Sequence, residues 1–169
     1  MAYRNRTYVA FDSRDIHYYR MMMAWNANEN MEFDFYNAHD LNIARDTSSP
    51  EQIKRKLRER FSNTKQVVLL GSTNAREKTQ DKSSFLAYEV EIMMNLNLPI
   101  VIANLDKNRV VAEKNIPREL YGSSHFTVSV SYQPKIIEFA LDKYVEEFAS
   151  SEKAGSCQYG SAIYSRLGM

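Results

Sequence analysis

The sequence predicts an α/β fold: five parallel strands in one sheet, with helices packed on both faces. Three observations predict it. Short apolar runs alternate with longer helical stretches along nearly the whole chain. The central run, Gln66-Val67-Val68-Leu69-Leu70-Gly71, is apolar without alternation, as a strand buried on both faces must be. The helical stretches carry their own start signals, above all Ser49-Pro50-Glu51-Gln52, which offers a serine cap, proline at the first helical position and glutamine to close a capping box.

Thr7-Tyr8-Val9-Ala10-Phe11, β-branched and aromatic, predicts the first strand, and Asp12-Ser13-Arg14-Asp15 a polar turn with several cap candidates. A helix follows over about 16–27, with Ile16, Tyr19, Met23 and Ala27 on one face. Met21, Met22, Met23 and Trp25 read as core or as a partner-facing surface, with core favoured. Met31 to Tyr36 alternates apolar with acidic residues and predicts an edge strand. The polar stretch from Asn37 to Ser48 is long for a strand-to-helix connection, and long loops often carry function. In the next helix Ile53, Leu57 and Phe61 form the buried stripe. Lys54, Arg55, Lys56, Arg58 and Arg60 cover the rest, a solvated face rather than a nucleic-acid surface, since no aromatics interleave with them.

After the central strand, Ser72 to Lys82 reads as a polar loop and Ser83 to Leu96 as a largely apolar helix. Pro99 to Ala103 predicts the fourth strand and 107–124 an irregular stretch with one helical turn near Pro117-Arg118-Glu119-Leu120. Phe126 to Val130 predicts the fifth strand. Pro134 opens a last helix with Ile137, Leu141, Tyr144 and Phe148 on one face. Five strands so connected most simply give the flavodoxin-like three-layer sandwich, strand order 2-1-3-4-5. One domain over 5–149 is therefore expected, followed by a serine- and glycine-rich tail over 150–169, loose or draped on the body.

At 169 residues and 44% hydrophobic, the chain is long enough to bury a core. A net charge of +1 gives no global field toward nucleic acid or membrane. The single cysteine, Cys157, excludes an intrachain disulfide, and His17, His39 and His125 lie too far apart in sequence for zinc spacing. No run approaches the roughly 20 apolar residues that span a bilayer, and the polar start does not read as a signal peptide. The expectation is a cytoplasmic protein with no metal and no resident cofactor.

One residue does not fit the packing pattern. On the 83–96 helix, Glu89 has Phe85, Ile92, Met93 and Leu96 as same-face neighbours, so a carboxylate sits within an apolar stripe. It is either half exposed or tied to an arginine, or it lines a functional cleft with a raised pKa. The common phosphate cradles and the serine-hydrolase elbow are absent. Strand 3 ends in Gly71-Ser72-Thr73, with no aspartate to accept a phosphoryl group as a receiver domain would require.

Phe11-Asp12-Ser13 after strand 1 resembles the Phe-x-Ser turn of TIR domains, and the long loop after strand 2 their BB loop. Tyr88-Glu89-Val90 followed by Leu98-Pro99-Ile100-Val101 is similar to their Glu-containing third helix and fourth strand. Asp34 to Asp40 and Arg45-Asp46-Thr47-Ser48, with Tyr8 to Asp12, resemble the TIR-like proteins of the bacterial Thoeris anti-phage system. The resemblance covers about 5–148. It implies a TIR-like sandwich that cleaves the nicotinamide–ribose bond of NAD+, which is substrate rather than cofactor, and makes a cyclic ADP-ribose-type signal for a separate effector. Glu89 would be the catalytic carboxylate. Phe11 would pack on a base, Ser13 would bond a ribose or phosphate, and Asp40 and Arg45 would bind ribose and pyrophosphate. Tyr88 stands where the family commonly has tryptophan. The bland alternatives are core packing for Phe11, a helix cap for Ser13 and a surface ion pair or turn for Asp40 and Arg45. Self-association on activation is left open, and the competing functions are a non-catalytic TIR interaction module and a nucleotide sensor without turnover.

Overall fold

The computed structural model of the chain describes residues 6–28, the backbone of 36–37, and 49–169. Its centre is a parallel sheet of strands β1 (Arg6–Ala10), β2 (Tyr36–Asn37), β3 (Gln66–Gly71), β4 (Ile100–Asn104), β5 (Thr127–Ser131) and β6 (Ser156–Gln158), in the order β2-β1-β3-β4-β5-β6. The predicted α/β sandwich and its 2-1-3-4-5 order are present, with a sixth strand added beyond β5. Register follows the apolar runs: Val9 sits beside Val68, Val68 beside Val101 and Val101 beside Val128.

Alternation along the strands divides the interior in two. One face carries Val9, Phe11, Val68, Leu70, Val101, Ala103, Val128 and Val130, under helices α1 (Ile16–Ala27) and α6 (Pro134–Phe148). The other carries Tyr8, Ala10, Val67, Leu69, Ile100 and Ile102, under α2 (Pro50–Phe61) and α4 (Phe85–Asn95). The capping box on α2 forms as the sequence indicates: Ser49 Oγ accepts from the Gln52 amide at 3.3 Å, and the Gln52 side chain accepts from the Ser49 amide at 3.0 Å.

Several local expectations are corrected. The stretch after β3 is not a loop but helix α3 (Thr73–Gln80), started by Ser72, whose hydroxyl accepts from the Ala75 amide at 3.0 Å. Its exposed, polar composition hid the helix, because only Ala75 among its eight residues is buried. Of the expected α1 face, Tyr19 is buried, Ile16 and Met23 are partly buried and Ala27 is exposed; Met22 is the second buried residue, and Tyr19, stacked on Phe11 at 4.7 Å, fixes the phase of the helix. Met22 is core, Met23 and Trp25 are partly buried against it, and Met21 is exposed. The 107–124 stretch holds a 3-10 turn at Glu113–Asn115 and the short α5 (Arg118–Tyr121).

The segment over 150–169 is not a loose tail. It pairs with β5 as β6, then forms α7 (Ser161–Arg166). Tyr164 of α7 is wholly buried, its hydroxyl accepts from the Ser131 amide at 3.1 Å, and the Arg109 guanidinium lies 4.4 Å above its ring. Cys157, Tyr159, Ile163, Leu167 and Met169, partly buried against the same core, complete the docking. Among the described residues no helix is long and apolar enough to cross a membrane.

Candidate functional site

The β1 and β3 ends meet at the rim where the strand order reverses, and a polar network joins them. Asp12, almost fully buried, accepts from the Arg14 amide and from Arg14 Nε, each at 2.9 Å. Asp15 accepts from Ser72 Oγ at 2.6 Å and from Asn74 Nδ2 at 3.0 Å, crossing from the β1 turn to the start of α3. Arg14 reaches the same helix through the Asn74 carbonyl. Gly71, the last residue of β3, has no room for a Cβ, which would stand 2.8 Å from Ile102 Cγ2. The next carboxamides, Asn104 and Asn115, bond each other at 3.1 Å at the end of β4.

Phe11 and Ser13 lie on this rim turn. Phe11 turns to the α1 face and stacks on Tyr19, while Ser13 is exposed. Asp12, not Ser13, provides the cap for the turn. Asp40 and Arg45 lie outside the described residues.

Glu89 is on the opposite face from Phe11. The α4 cap, Ser84, marks the rim; its hydroxyl accepts from the Ala87 amide at 3.1 Å. Glu89 lies a little over one helical turn below it, roughly 7 Å. Tyr8, two residues before the end of β1, is at the same depth, and its hydroxyl donates to the Glu89 carboxyl. The remaining oxygen, Oε2, is buried with no hydrogen-bond partner. At 1% exposure Glu89 does not open onto the crevice beside Phe11 and Ser13. It is not half exposed, and among the described residues no arginine pairs with it at contact distance; the Arg60 charge acts on it through space. Burial pushes its pKa from 4.5 up to about 8, with the Tyr8 hydrogen bond and Arg60 pulling the other way. Tyr8 in turn holds its proton far above the usual tyrosine range, because it is buried beside a carboxylate.

The Tyr8 ring packs, tilted, on Phe61 of α2 with centroids 4.3 Å apart, so strand, helix and carboxyl form one packed unit. On the outer side of the same helix pair, Lys54 of α2 reaches Glu91 of α4 at 3.1 Å and lies 5.2 Å above the Tyr88 ring. Tyr88 is buried and fills the wall beside Glu89. The arrangement can store a proton on Glu89 near neutral pH and, when that proton leaves, present one negative oxygen in a water-poor setting. No group of three acidic, histidine or cysteine side chains among the described residues could hold a metal ion.

The sequence indicated Glu89 but not Tyr8 or the Asp12–Asp15–Ser72–Asn74 network. A signal for Tyr8 existed: a tyrosine inside an otherwise apolar strand needs a polar partner for its hydroxyl on the same face. The network had none, because its members come from segments about 60 residues apart.

No curated protein matches the chain. A family model does, over residues 8–110, and its description is Thoeris protein ThsB, TIR-like domain. The matched span runs from β1 through β4, so it contains the rim turn, α2 and the whole of α4 with Glu89.

Proposed function

The chain belongs to the Thoeris ThsB TIR-like domain family, and from that premise we propose that it is an NAD+ nucleosidase and cyclase. It breaks the nicotinamide–ribose bond and closes the ADP-ribose product into a cyclic signal that activates an anti-phage effector. The observation that carries the reading is Glu89: a carboxyl in an apolar wall, held by one hydrogen bond, with Oε2 unpartnered.

The chemistry suits that group. Nicotinamide departs neutral from a cationic linkage, so the leaving group needs no general acid. The ribose C1′ passes through an oxocarbenium-like state, and a nearby carboxylate stabilises the developing charge. Glu89 holds a proton at neutral pH in the free protein, with a pKa of about 8. A cationic substrate beside it lowers that pKa and ionises the group where the charge is used. Reaching Oε2 requires movement at the α2–α4 seam, because the carboxyl is sealed in the resting structure. Water capturing C1′ gives ADP-ribose; an adenine nitrogen or ribose hydroxyl capturing it gives a ring, which a dry wall such as Tyr88 and Phe61 favours. In this reading Phe11 bounds a base at the rim, Ser13 meets a ribose or phosphate there, and Asp40 and Arg45 hold ribose and pyrophosphate. The protein acts in the cytoplasm, where NAD+ is supplied.

The non-catalytic interaction module is the second reading, favoured by the sealed carboxyl and the exposed Met21. Against it, Met22 is core and Trp25 packs on Tyr132 at 4.9 Å, which leaves little continuous apolar surface on α1. The deciding experiment follows NAD+ loss and product mass in cells expressing the protein, before and after phage infection. Wild type consumes NAD+ and yields a cyclic product; Glu89→Ala, at equal folded amount, falls by about 100-fold or more. Undiminished turnover in that variant overturns the mechanism.

A further inference from the structure

We infer that Tyr8 is the positioning residue for Glu89: it fixes one carboxyl oxygen and leaves Oε2 as the oxygen that meets substrate. The inference rests on the NAD+-cleaving reading and deepens it. Glu89 reaches the sheet from α4, and a side chain with three rotatable bonds adopts many orientations unless something pins it. Among the described residues, the Tyr8 hydroxyl is the hydrogen-bond donor set on that carboxyl. The Tyr8 ring cannot turn away, because it is fully buried and packed on Phe61 at 4.3 Å. Strand β1 fixes the backbone on both sides, with Tyr8 beside Val67 of β3. Holding one oxygen against the sheet leaves Oε2 as the buried oxygen with no hydrogen-bond partner.

The donor also sets when the carboxyl ionises. A tyrosine that keeps its proton stabilises the carboxylate over the acid, opposing the effect of burial. Besides Arg60, whose charge acts on Glu89, α2 carries Glu51, Lys54, Arg55, Lys56, Arg58 and Glu59, and α4 carries Tyr88 and Glu91; Lys54 is already engaged by Glu91. Removing the hydroxyl therefore takes away the Glu89 hydrogen bond and leaves the charges in place.

Tyr8→Phe keeps the ring, its packing on Phe61 and the strand. In protein labelled with 13C at the glutamate carboxyls, the Glu89 signal is identified by its loss in Glu89→Gln. Its titration midpoint is expected to rise by about one unit in Tyr8→Phe. The pH at which NAD+ cleavage is half-maximal moves up with it, and kcat falls by about tenfold at neutral pH while KM stays within about twofold. A folded Tyr8→Phe protein whose carboxyl titration and pH profile are both unmoved overturns the assignment of Tyr8. A carboxyl that titrates as expected in a protein that cleaves no NAD+ under any condition overturns the functional reading instead, and with it the catalytic part of the assignment. If Tyr8→Phe does not fold, Tyr8→3-fluorotyrosine, a donor of lowered pKa, replaces it; the Glu89 midpoint must then fall, and an unmoved midpoint is equally fatal.

Discussion

The two faces of the sheet are built from similar aliphatic side chains but treat their polar atoms differently. Beneath α1 and α6, three buried tyrosines are paired, although the Tyr159 hydroxyl and Gln66 Oε1 on that side are not. Tyr144 donates to the Phe126 carbonyl at 2.6 Å and accepts from the Ile100 amide at 2.8 Å; Tyr132 donates to the Tyr18 carbonyl; Tyr164 accepts from Ser131. Beneath α2 and α4, Glu89 leaves Oε2 unpartnered. On the same side alternation along β5 places Thr127, Ser129 and Ser131, whose buried hydroxyls likewise have no partner. Unmet polar atoms cost stability, and proteins keep them where function uses them. On the proposed reading, the α2–α4 face is the one that carries the chemistry, and the unpartnered oxygen of Glu89 lowers its stability.

The comparison breaks or sharpens on four measurements. The largest effect is expected from Tyr164→Ala on the α1–α6 face. It empties a fully buried site and frees the Ser131 amide, so unfolding free energy in urea falls by about 3–5 kcal/mol. A loss below about 1 kcal/mol returns 150–169 to the status of a tail.

Next is Glu89→Gln, read as stability against pH. The folded pKa, about 8, lies above the unfolded 4.5, so folding takes up a proton between these values. The contribution of Glu89 is fully present below pH 4.5 and is lost as pH rises through about 8. By pH 7 this amounts to roughly 3 kcal/mol. Glutamine does not titrate, so the variant gains on wild type as pH rises from 5 to 8. Parallel thermal midpoints over that range would show that the carboxyl is ionised and paired in the folded state.

Tyr144→Phe comes third. It leaves the Ile100 amide and the Phe126 carbonyl without their partner and costs about 2 kcal/mol by chemical denaturation, with NAD+ cleavage per folded molecule unchanged. A selective loss of cleavage would place function on this face as well. The smallest is Ser129→Ala, which removes an unpartnered buried hydroxyl and raises stability by about 1 kcal/mol. Destabilisation of that size would show that the hydroxyl has a partner, such as an internal water.

Much of the frame was legible from local rules. Continuous apolar runs marked β3 and β4, β-branched residues marked β5, and the Ser49-Pro50-Gln52 signal started α2 at the right residue. Glu89 stood out because a carboxylate on an apolar stripe is costly wherever the helix packs. Helix α3 escaped notice because only Ala75 in it is buried, and the β6–α7 segment because its packing residues, among them Cys157, Tyr159, Ile163 and Tyr164, follow no single period. The rim network escaped because each of its side chains is unremarkable in sequence; only the parallel pairing of β1 with β3 brings Asp15 to Ser72 and Asn74.

The sequence by itself determined the alternation of strands and helices, their order in the sheet and the presence of an acidic side chain on a buried stripe. Periodicity and capping are properties of neighbouring residues, so they can be read along the chain. Only the tertiary structure decided that the carboxyl points inward onto Tyr8, away from Phe11 and Ser13. That choice depends on which strand lies opposite α4 and at what depth, and on the partner a distant residue offers, none of which a local pattern contains.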